Sequence, residues 1–338
     1  MKRIGIICPS EIAFRRFLPA LKEAGCFEYA GVAIASKEEF VGATDEILAK
    51  ERAKAQTFVD SYGGKIFEGY NTLIHSDEVD AIYLPLPPGL HYQWAKEAVS
   101  AGKHILVEKP CTIALQTTED LLKNARKKGL AAHENYMFAF HNQLAAVNEI
   151  VKSGEIGDVR LYRVSFGFPM RAQNDFRYNK ALGGGALLDC GGYTLKYASI
   201  LLGPTAKLKY AQSNNIEGFS VDMYGSAALV NDEGITAQVA FGMDHNYKCE
   251  LEVWGSKGTL YTNRILTAPA GFVPEVIIRK GNEEEKRNLP ADDAFKKSIL
   301  HFCRCIEEPD VREENYQALL KQAGLVEDFK QMAGLDTK

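Results

Sequence analysis

The chain has 338 residues, 40 of them basic and 44 acidic, and a net charge of −4 with histidine neutral. Its hydrophobic fraction of 46% and charged fraction of 25% are typical of a globular protein of about two domains, which excludes a disordered chain. The mildly acidic balance argues against nucleic acid and acidic membranes as partners, and no apolar run approaches the roughly 18 residues of a membrane span. Seven scattered cysteines without a CxxC pair are expected to be reduced thiols of a cytoplasmic protein.

The first third of the chain alternates apolar strands with amphipathic helices. Strands are predicted at 4–8, 29–35, 81–84 and 104–107, and helices at 12–25, 91–100 and 117–128, with a polar, helix-prone segment at 38–62. Buried strands that alternate with helices predict an α/β fold with a doubly wound parallel sheet. We therefore predict an N-terminal dinucleotide-binding Rossmann domain over residues 1–128.

The pattern changes to period-two alternation after a helix at 144–152. Strands are predicted at 160–166, 221–230, 236–241, 248–254, 258–262 and 276–279, and the charged run 283–287 is interpreted as a solvated turn. Such alternation predicts a C-terminal α+β domain, residues 129–338, on a large, mostly antiparallel open sheet. An open sheet exposes one face, so a homodimer or homotetramer is expected.

The turn after the first strand is where a Rossmann fold holds a pyrophosphate, with the fingerprint G-x-G-x-x-G/A. Here Cys8 and Ser10 occupy the first two glycine positions, and Ala13 occupies the third. Ser10 is predicted to cap the following helix and to offer its hydroxyl to an anion. The alternative is an ordinary strand–helix turn without a ligand.

The second strand ends in Ser36 and Lys37, where NAD-binding proteins carry an acidic residue. A hydroxyl and a cation favour a 2′-phosphate, so NADP is the expected cofactor and NAD the alternative. The competing interpretation is a polar turn with a solvated lysine.

The fourth strand ends in Glu108-Lys109-Pro110. Ligands of open α/β sheets bind beyond the carboxyl ends of the strands. Lys109 could hold a substrate oxygen there or share a proton with it. Taken by itself, a lysine at a strand end is more often a surface residue.

Three glycines, 183–185, precede an apolar helix that is predicted to end at Gly203. Asp189 and Tyr193 are four residues apart, so they share one face of that helix. A carboxylate and a phenol on one face can bind neighbouring hydroxyls, and a phenol can exchange the proton that accompanies hydride transfer. The alternative interpretation makes Asp189 a cap and Tyr193 a packed aromatic residue.

Other residues of interest receive structural interpretations. His301, Cys303 and Cys305 do not have the spacing of a zinc site, so no metal is expected. His133 and His141 are interpreted as satisfied structural histidines. The aromatic residues at 136, 138 and 140 are expected in the core or in the wall of the active-site cleft.

Together these segments resemble the Gfo/Idh/MocA family of NAD(P)-dependent oxidoreductases, which includes glucose-fructose oxidoreductase and inositol dehydrogenase. The similarity covers nearly the whole chain. Its most specific marker is Glu-Lys-Pro at 108–110, joined by the segments 134–157, 176–193 and 254–260.

The resemblance implies roles for individual residues. Lys109 matches the catalytic lysine and Asp189 a substrate-binding aspartate. Tyr193 stands where inositol dehydrogenases have histidine and matches the acid of the branch that contains glucose-fructose oxidoreductase, dimeric dihydrodiol dehydrogenase and sugar-nucleotide 3-ketoreductases. The residues expected to bind the cofactor are Cys8, Ser10, Ala13, Ser36, Lys37, Pro87, His91, Glu108 and Arg177.

Two functional hypotheses follow. The first is an enzyme that transfers hydride between nicotinamide and a carbinol or carbonyl of a sugar, sugar nucleotide or cyclic polyol. The second is a non-catalytic sensor of the same fold that binds nucleotide or sugar, and it is motivated by the missing glycines of the phosphate turn.

Overall fold

The computed structural model describes residues 1–40 and 42–335. The chain forms two compact units. The first contains Met1–Asn135 and Phe295–Leu320, and the second contains Tyr136–Ala294 and the C-terminal part from Lys321. This division differs from the expected boundary at residue 128, because the last strand of the first sheet lies beyond that point and a C-terminal segment returns to the first unit.

The first unit is built on a six-stranded sheet in the order β3-β2-β1-β4-β5-β6. All its pairings are parallel, which confirms the predicted doubly wound Rossmann sheet. Its strands are β1 Lys2–Ile7, β2 Phe27–Ile34, β3 Lys65–Glu68, β4 Ala81–Leu84, β5 His104–Val107 and β6 Ala132–Glu134. The two edge strands, β3 and β6, were not predicted from the sequence because they are short and carry charged residues.

Helices cover the sheet of the first unit. They are α1 Leu18–Ala24, which continues a helical turn at Ala13–Phe17, α2 Asp45–Tyr62, α3 Tyr70–Ile74, α4 Pro88–Ser100 and α5 Leu115–Lys127. The buried core between helices and sheet includes Ile82, Leu84, Ile105 and Val107, all without exposed surface.

The second unit is built on an eight-stranded sheet in the order β14-β13-β12-β11-β7-β10-β9-β8. Among the described strands of this sheet, only β7 and β10 pair in parallel, so the predicted mostly antiparallel sheet is confirmed. The strands are β7 Val159–Gly167, β8 Lys207–Asn214, β9 Tyr224–Val230, β10 Thr236–Gly242, β11 Lys248–Gly255, β12 Thr259–Asn263, β13 Glu275–Lys280 and β14 Glu283–Asn288. Its helices are α6 Asn142–Lys152 and α7 Gly192–Leu202, and α7 continues a helical turn at Leu187–Gly191 that contains Asp189.

The interpretation of residues 283–287 as a turn is wrong, since they belong to β14. This edge strand pairs with β13 from Glu275↔Asn288 to Lys280↔Glu283. Its largely exposed charged side chains remove the apolar alternation by which a strand is usually identified. They form cross-strand ion pairs instead, such as Arg279 with Glu284 at 2.8 Å.

Two further helices end the chain, α8 Ala294–Glu307 and α9 Pro309–Ala333. Throughout the part of the chain that the structure describes, every helix is too short or too polar to span a lipid bilayer.

Candidate functional site

The predicted phosphate turn has a glycine-like backbone conformation at Cys8, the first of the two positions where a glycine is absent. Cys8 has a φ of 77°, in the region that glycine ordinarily supplies. Its amide donates to Ala33 O at 3.1 Å, which continues the sheet pairing. Ser10 Oγ accepts a hydrogen bond from the Ala13 amide at 3.2 Å, so the predicted helix cap is confirmed.

The thiol of Cys8 is protonated, so it carries no charge near neutral pH. It is hydrogen-bonded to Tyr70 on α3, and burial raises its pKa to about 12. Ala13 is fully buried where the third glycine would pack the helix against the strand. The turn therefore fits a dinucleotide pyrophosphate, which it would meet with the amino end of a helix.

The end of β2 carries the predicted cation together with acidic residues that were not predicted to lie near it. Lys37 Nζ lies 2.6 Å from Asp45 Oδ1, with both side chains largely exposed. Ser36 Oγ donates to Glu38 Oε2 at 2.8 Å. An exposed ion pair of this kind contributes little to stability, so a phosphate could displace Asp45 from Lys37 at little cost.

Glu39 fixes this end of the strand to its neighbour. Its carboxylate accepts hydrogen bonds from the amides of Ser36, Tyr70 and Asn71, at 2.9, 2.7 and 2.8 Å. A carboxylate that accepts hydrogen bonds from three backbone amides has a structural role. Glu39 therefore does not take the place of the acidic residue that binds the ribose of NAD.

His91 contacts the turn at residues 108–110, which carries Lys109 and is called the Lys109 turn below. Pro87 precedes α4, and the imidazole of His91 on that helix has no exposed surface. Its two nitrogens lie 2.7 Å from Pro110 O and from Leu86 O. Both ring nitrogens are thus used by the protein backbone, and the expected contact of His91 with a cofactor stays a prediction.

Glu108 is anchored beneath the same turn, whose Lys109–Pro110 peptide bond is cis. Its Oε1 accepts hydrogen bonds from Tyr83 Oη and from Asn135 Nδ2, both at 2.6 Å. Burial raises the pKa of Glu108. These bonds hold the turn that presents Lys109 at the carboxyl end of β5.

In the second unit, Asp222 caps the helix that carries Asp189 and Tyr193. Its Oδ2 accepts from the Leu187 amide at 2.7 Å, and its backbone oxygen accepts from the Ala186 amide at 2.8 Å. A Cβ at Gly185 would lie 2.2 Å from Asp222 Oδ1, so a larger residue there would displace the cap. Burial raises the pKa of Asp222 to about 6, against the charge of Lys330.

Asp222 was not among the residues predicted from the sequence. It lies 35 positions from the amide that it caps, so no local signal identifies it.

Asp189 is held by Arg177. Arg177 Nε donates to Asp189 Oδ2 at 2.7 Å, and Nη1 lies 3.1 Å from Asp175 Oδ1. The Arg177 and Asp189 side chains are 20% and 12% exposed, so the pair is shielded from solvent. The structure thus places Arg177, expected near the cofactor, on the residue expected to bind substrate.

Tyr193 lies in an aromatic cage and is 8% exposed. Its ring centroid lies 5.0 Å from that of Tyr136, 5.7 Å from Phe138 and 5.4 Å from Phe166. Two of the three aromatic residues expected in the core or cleft wall therefore contact it. A Cβ at Gly192 would lie 2.1 Å from Tyr136 Oη, so the glycine before Tyr193 lets this cage close.

The structure gathers the predicted residues into two groups. The carboxyl edge of the first sheet carries Cys8, Ser10, Ser36, Lys37, Pro87, Glu108 and Lys109. The second unit carries Arg177, Asp189 and Tyr193. Their individual roles stay predictions.

Two family sequence models match the chain. Residues 4–136 match the "oxidoreductase family, NAD-binding Rossmann fold" model, and residues 144–261 match the GFO/IDH/MocA C-terminal domain.

Several characterised proteins are similar over nearly their whole length. The dTDP-3,4-didehydro-2,6-dideoxy-alpha-D-glucose 3-reductase of Actinomadura kijaniata is 37% identical over 96% of this chain and 93% of its own. The enzyme of that name from Streptomyces violaceoruber is 38% identical over 98% and 96%. A D-xylose 1-dehydrogenase (NADP(+)) of Haloferax volcanii is 26% identical over 93% of both chains.

A solved structure also superimposes closely. The 3-ketoreductase of Actinomadura kijaniata in complex with NADP and TDP-benzene has a TM-score of 0.89 and 37% identity, and the match covers 98% of this chain and 97% of that one. These matches confirm the family, the fold and the enzyme class that the sequence predicts. The chain belongs to the GFO/IDH/MocA family of NAD(P)-dependent oxidoreductases.

Proposed function

We propose that the chain is an NADP-dependent reductase of a keto group on a nucleotide-linked sugar. The proposal is supported by the number of residues between Lys109 and Tyr193. The Actinomadura reductase has been solved as variants in which a tyrosine is replaced by phenylalanine and a lysine by alanine or glutamate. Those two positions are separated by the same number of residues as Lys109 and Tyr193 are here.

The cofactor would be held by residues of the first unit. The amino end of the helix after Ser10 suits the pyrophosphate, and Lys37 suits a 2′-phosphate. The bound nicotinamide would supply the hydride. The positive φ of Cys8, in the region that glycine ordinarily supplies, favours the enzyme over the sensor hypothesis, which rests on the loss of the glycines.

The reacting oxygen would be served by two side chains. Lys109 would bind the oxygen through its ammonium group, and Tyr193 would donate the proton from its phenol. The aromatic cage excludes water around the Tyr193 ring. Asp189, oriented by Arg177, would accept a hydrogen bond from a neighbouring sugar hydroxyl.

The proposed roles are tested with Tyr193→Phe in protein stripped of nucleotide. The variant keeps the ring that packs in the cage and loses only the hydroxyl. Turnover of a 3-keto sugar nucleotide should fall roughly 10²- to 10⁴-fold, with NADPH affinity by calorimetry unchanged. Turnover at the wild-type rate would reject Tyr193 as the proton donor.

Lys109→Ala separates two roles of the lysine. If Lys109 binds the reacting oxygen, turnover falls far more than NADPH affinity. A loss of affinity alone would make it a cofactor ligand. Tight binding of NADH but not NADPH would overturn the cofactor assignment to Ser36 and Lys37.

The outer face of the eight-stranded sheet is proposed to bind a second copy of the chain. Side chains that alternate with the buried ones form a row across it: Ile277, Tyr261, Glu252, Arg163, Gln238 and Ala228. The neighbouring Trp254 is 40% exposed, with the Arg163 guanidinium 4.2 Å from its ring centroid. A face that carries aromatic surface and both charge signs can complement itself across a two-fold axis.

A further inference from the structure

A chain of buried polar side chains runs through the first unit from the Lys109 turn to the C-terminal helices. It leads from Glu108 to Asn135, then to Ser298 on α8, His133 on β6 and Asn315 on α9. The donor–acceptor distances along it lie between 2.6 and 2.9 Å. Asn135, Ser298 and His133 are 1%, 0% and 2% exposed, so the bonds are shielded from water.

The hydrogens of this network determine the charge of His133. The Asn315 amide group donates to Ala132 O at 2.6 Å, so Asn315 Oδ1 needs a proton from His133 Nδ1. The Ser298 hydroxyl donates to Asn135 Oδ1 at 2.8 Å, so Ser298 Oγ needs a proton from His133 Nε2. In this pattern His133 carries two protons and a positive charge, and Glu108 is the carboxylate that balances it.

A second pattern satisfies the same groups without charge. Glu108 carries the proton and donates it to the carbonyl oxygen of a flipped Asn135, whose amide group donates to Ser298. The Ser298 hydroxyl then donates to Nε2 of a neutral His133. The two patterns hold the same number of protons and differ only in where one of them lies.

We propose that Glu108 and His133 share one proton through Asn135 and Ser298, which makes His133 a positioning residue that sets the charge beside Lys109. Burial favours the neutral pattern, and the ammonium of Lys109 favours the ionised Glu108. The groups that face His133 include Ser298, His301 and Phe302 of α8 and Asn315 of α9, and His301 lies 5.2 Å from it between ring centroids. The proton sharing is independent of the proposed substrate, whereas its effect on turnover rests on the proposed role of Lys109.

The test is the protonation of His133, read from the ¹⁵N resonances of its ring in histidine-labelled protein. In wild type, the signals should show a doubly protonated fraction that persists above the pH at which an exposed histidine is neutral. Glu108→Gln removes the balancing charge, so that fraction should be lost over pH 6–8. Identical His133 signals in wild type and Glu108→Gln would overturn the proposal.

A second variant tests the proposal independently, in case Glu108→Gln does not fold. Ser298→Ala cuts the link and leaves both ends in place, so it should also abolish the doubly protonated fraction. Ser199→Ala, which changes another buried serine, on α7, should leave it unchanged. Retention of the fraction in Ser298→Ala would refute sharing through this path. Because the readout is spectroscopic, it holds even if the proposed substrate is wrong.

Discussion

At the scale of single residues, the phosphate turn has a glycine-like backbone conformation at Cys8, where the Rossmann fingerprint has glycine. Cys8 adopts a positive φ that cysteine rarely adopts, and its thiol is hydrogen-bonded to Tyr70. A non-glycine residue in this region costs about 1–3 kcal/mol and persists only where its surroundings impose it. The phosphate turn is thus determined by the packing of Cys8 rather than by glycine.

The positive φ at Cys8 predicts how a β-branched side chain at this position affects the stability of the fold. Cys8→Val places a β-branched side chain at positive φ and should destabilise the fold by about 1–3 kcal/mol more than Cys8→Ala. Alanine is the matched control, since it also loses the thiol but is not branched. Urea unfolding would measure both, and equal midpoints would show that the turn tolerates branching.

Asp222 predicts a pH dependence of stability. Burial raises its pKa from 3.8 to about 6. Between these pH values the folded chain holds a proton that the unfolded chain has released, so this group's contribution to the free energy of unfolding falls as pH rises from about 4 to about 6. The difference in pKa corresponds to a contribution on the order of 3 kcal/mol.

Asp222→Asn should remove this contribution. Urea unfolding of wild type and variant from pH 4.5 to 7.5 should show wild type gaining stability relative to the variant as pH falls. Asp232→Asn, which removes an exposed carboxylate paired with Lys207, is the control and should show no such trend. A pH-independent difference between wild type and Asp222→Asn would contradict the assignment.

At the scale of elements, the helix that carries Asp189 and Tyr193 depends on contacts from elsewhere in its unit. Its amino end is capped by Asp222 from the segment before β9, and its glycines admit a side chain of the cage. Intrinsic helix propensity disfavours glycine by about 1 kcal/mol relative to alanine, so Gly192 is retained against propensity. Glycine is needed at this position because Tyr136 Oη approaches it closely.

Two glycine-to-alanine changes within helices should therefore have opposite signs. Gly192→Ala meets Tyr136 Oη and should destabilise the fold by about 1–3 kcal/mol. Gly324→Ala on α9, where no atom lies within 4 Å of the added Cβ, should stabilise it by about 0.5–1 kcal/mol. Thermal unfolding measures both, and a neutral Gly192→Ala would mean that Tyr136 can move aside freely.

At the scale of the whole molecule, the second sheet has one buried and one exposed face. Along β11 the buried residues Cys249, Leu251 and Val253 alternate with less buried ones that end in exposed Trp254. A stable interface needs about 1,200–2,000 Å² of total buried surface, which an eight-stranded face can supply. The proposed self-association therefore belongs to this face.

Trp254→Lys tests the association. It places a charge on the face and should weaken self-association at least tenfold, or by about 1.4 kcal/mol, in sedimentation velocity. Ile200→Lys on α7 replaces a residue that is 46% exposed and should leave association unchanged. A monomeric wild type at micromolar concentration would overturn the proposal.

The features that the sequence determined by itself are those carried by neighbouring residues. Alternating apolar strands and helices predicted the parallel sheet, since burial on both faces leaves a local imprint. The Glu-Lys-Pro segment and the four-residue spacing of Asp189 and Tyr193 identified the family and the candidate residues. Both signals lie within a few positions of the chain.

Only the tertiary structure decided how those residues are held. The edge strands β3, β6, β8 and β14 were missed because they are short or polar and carry little hydrophobic periodicity. The Asp222 cap, the pairing of Arg177 with Asp189 and the Glu108–His133 network join residues between 12 and 183 positions apart. Such partners are selected by three-dimensional packing and by the need to satisfy buried polar groups, and neither leaves a local pattern in the chain.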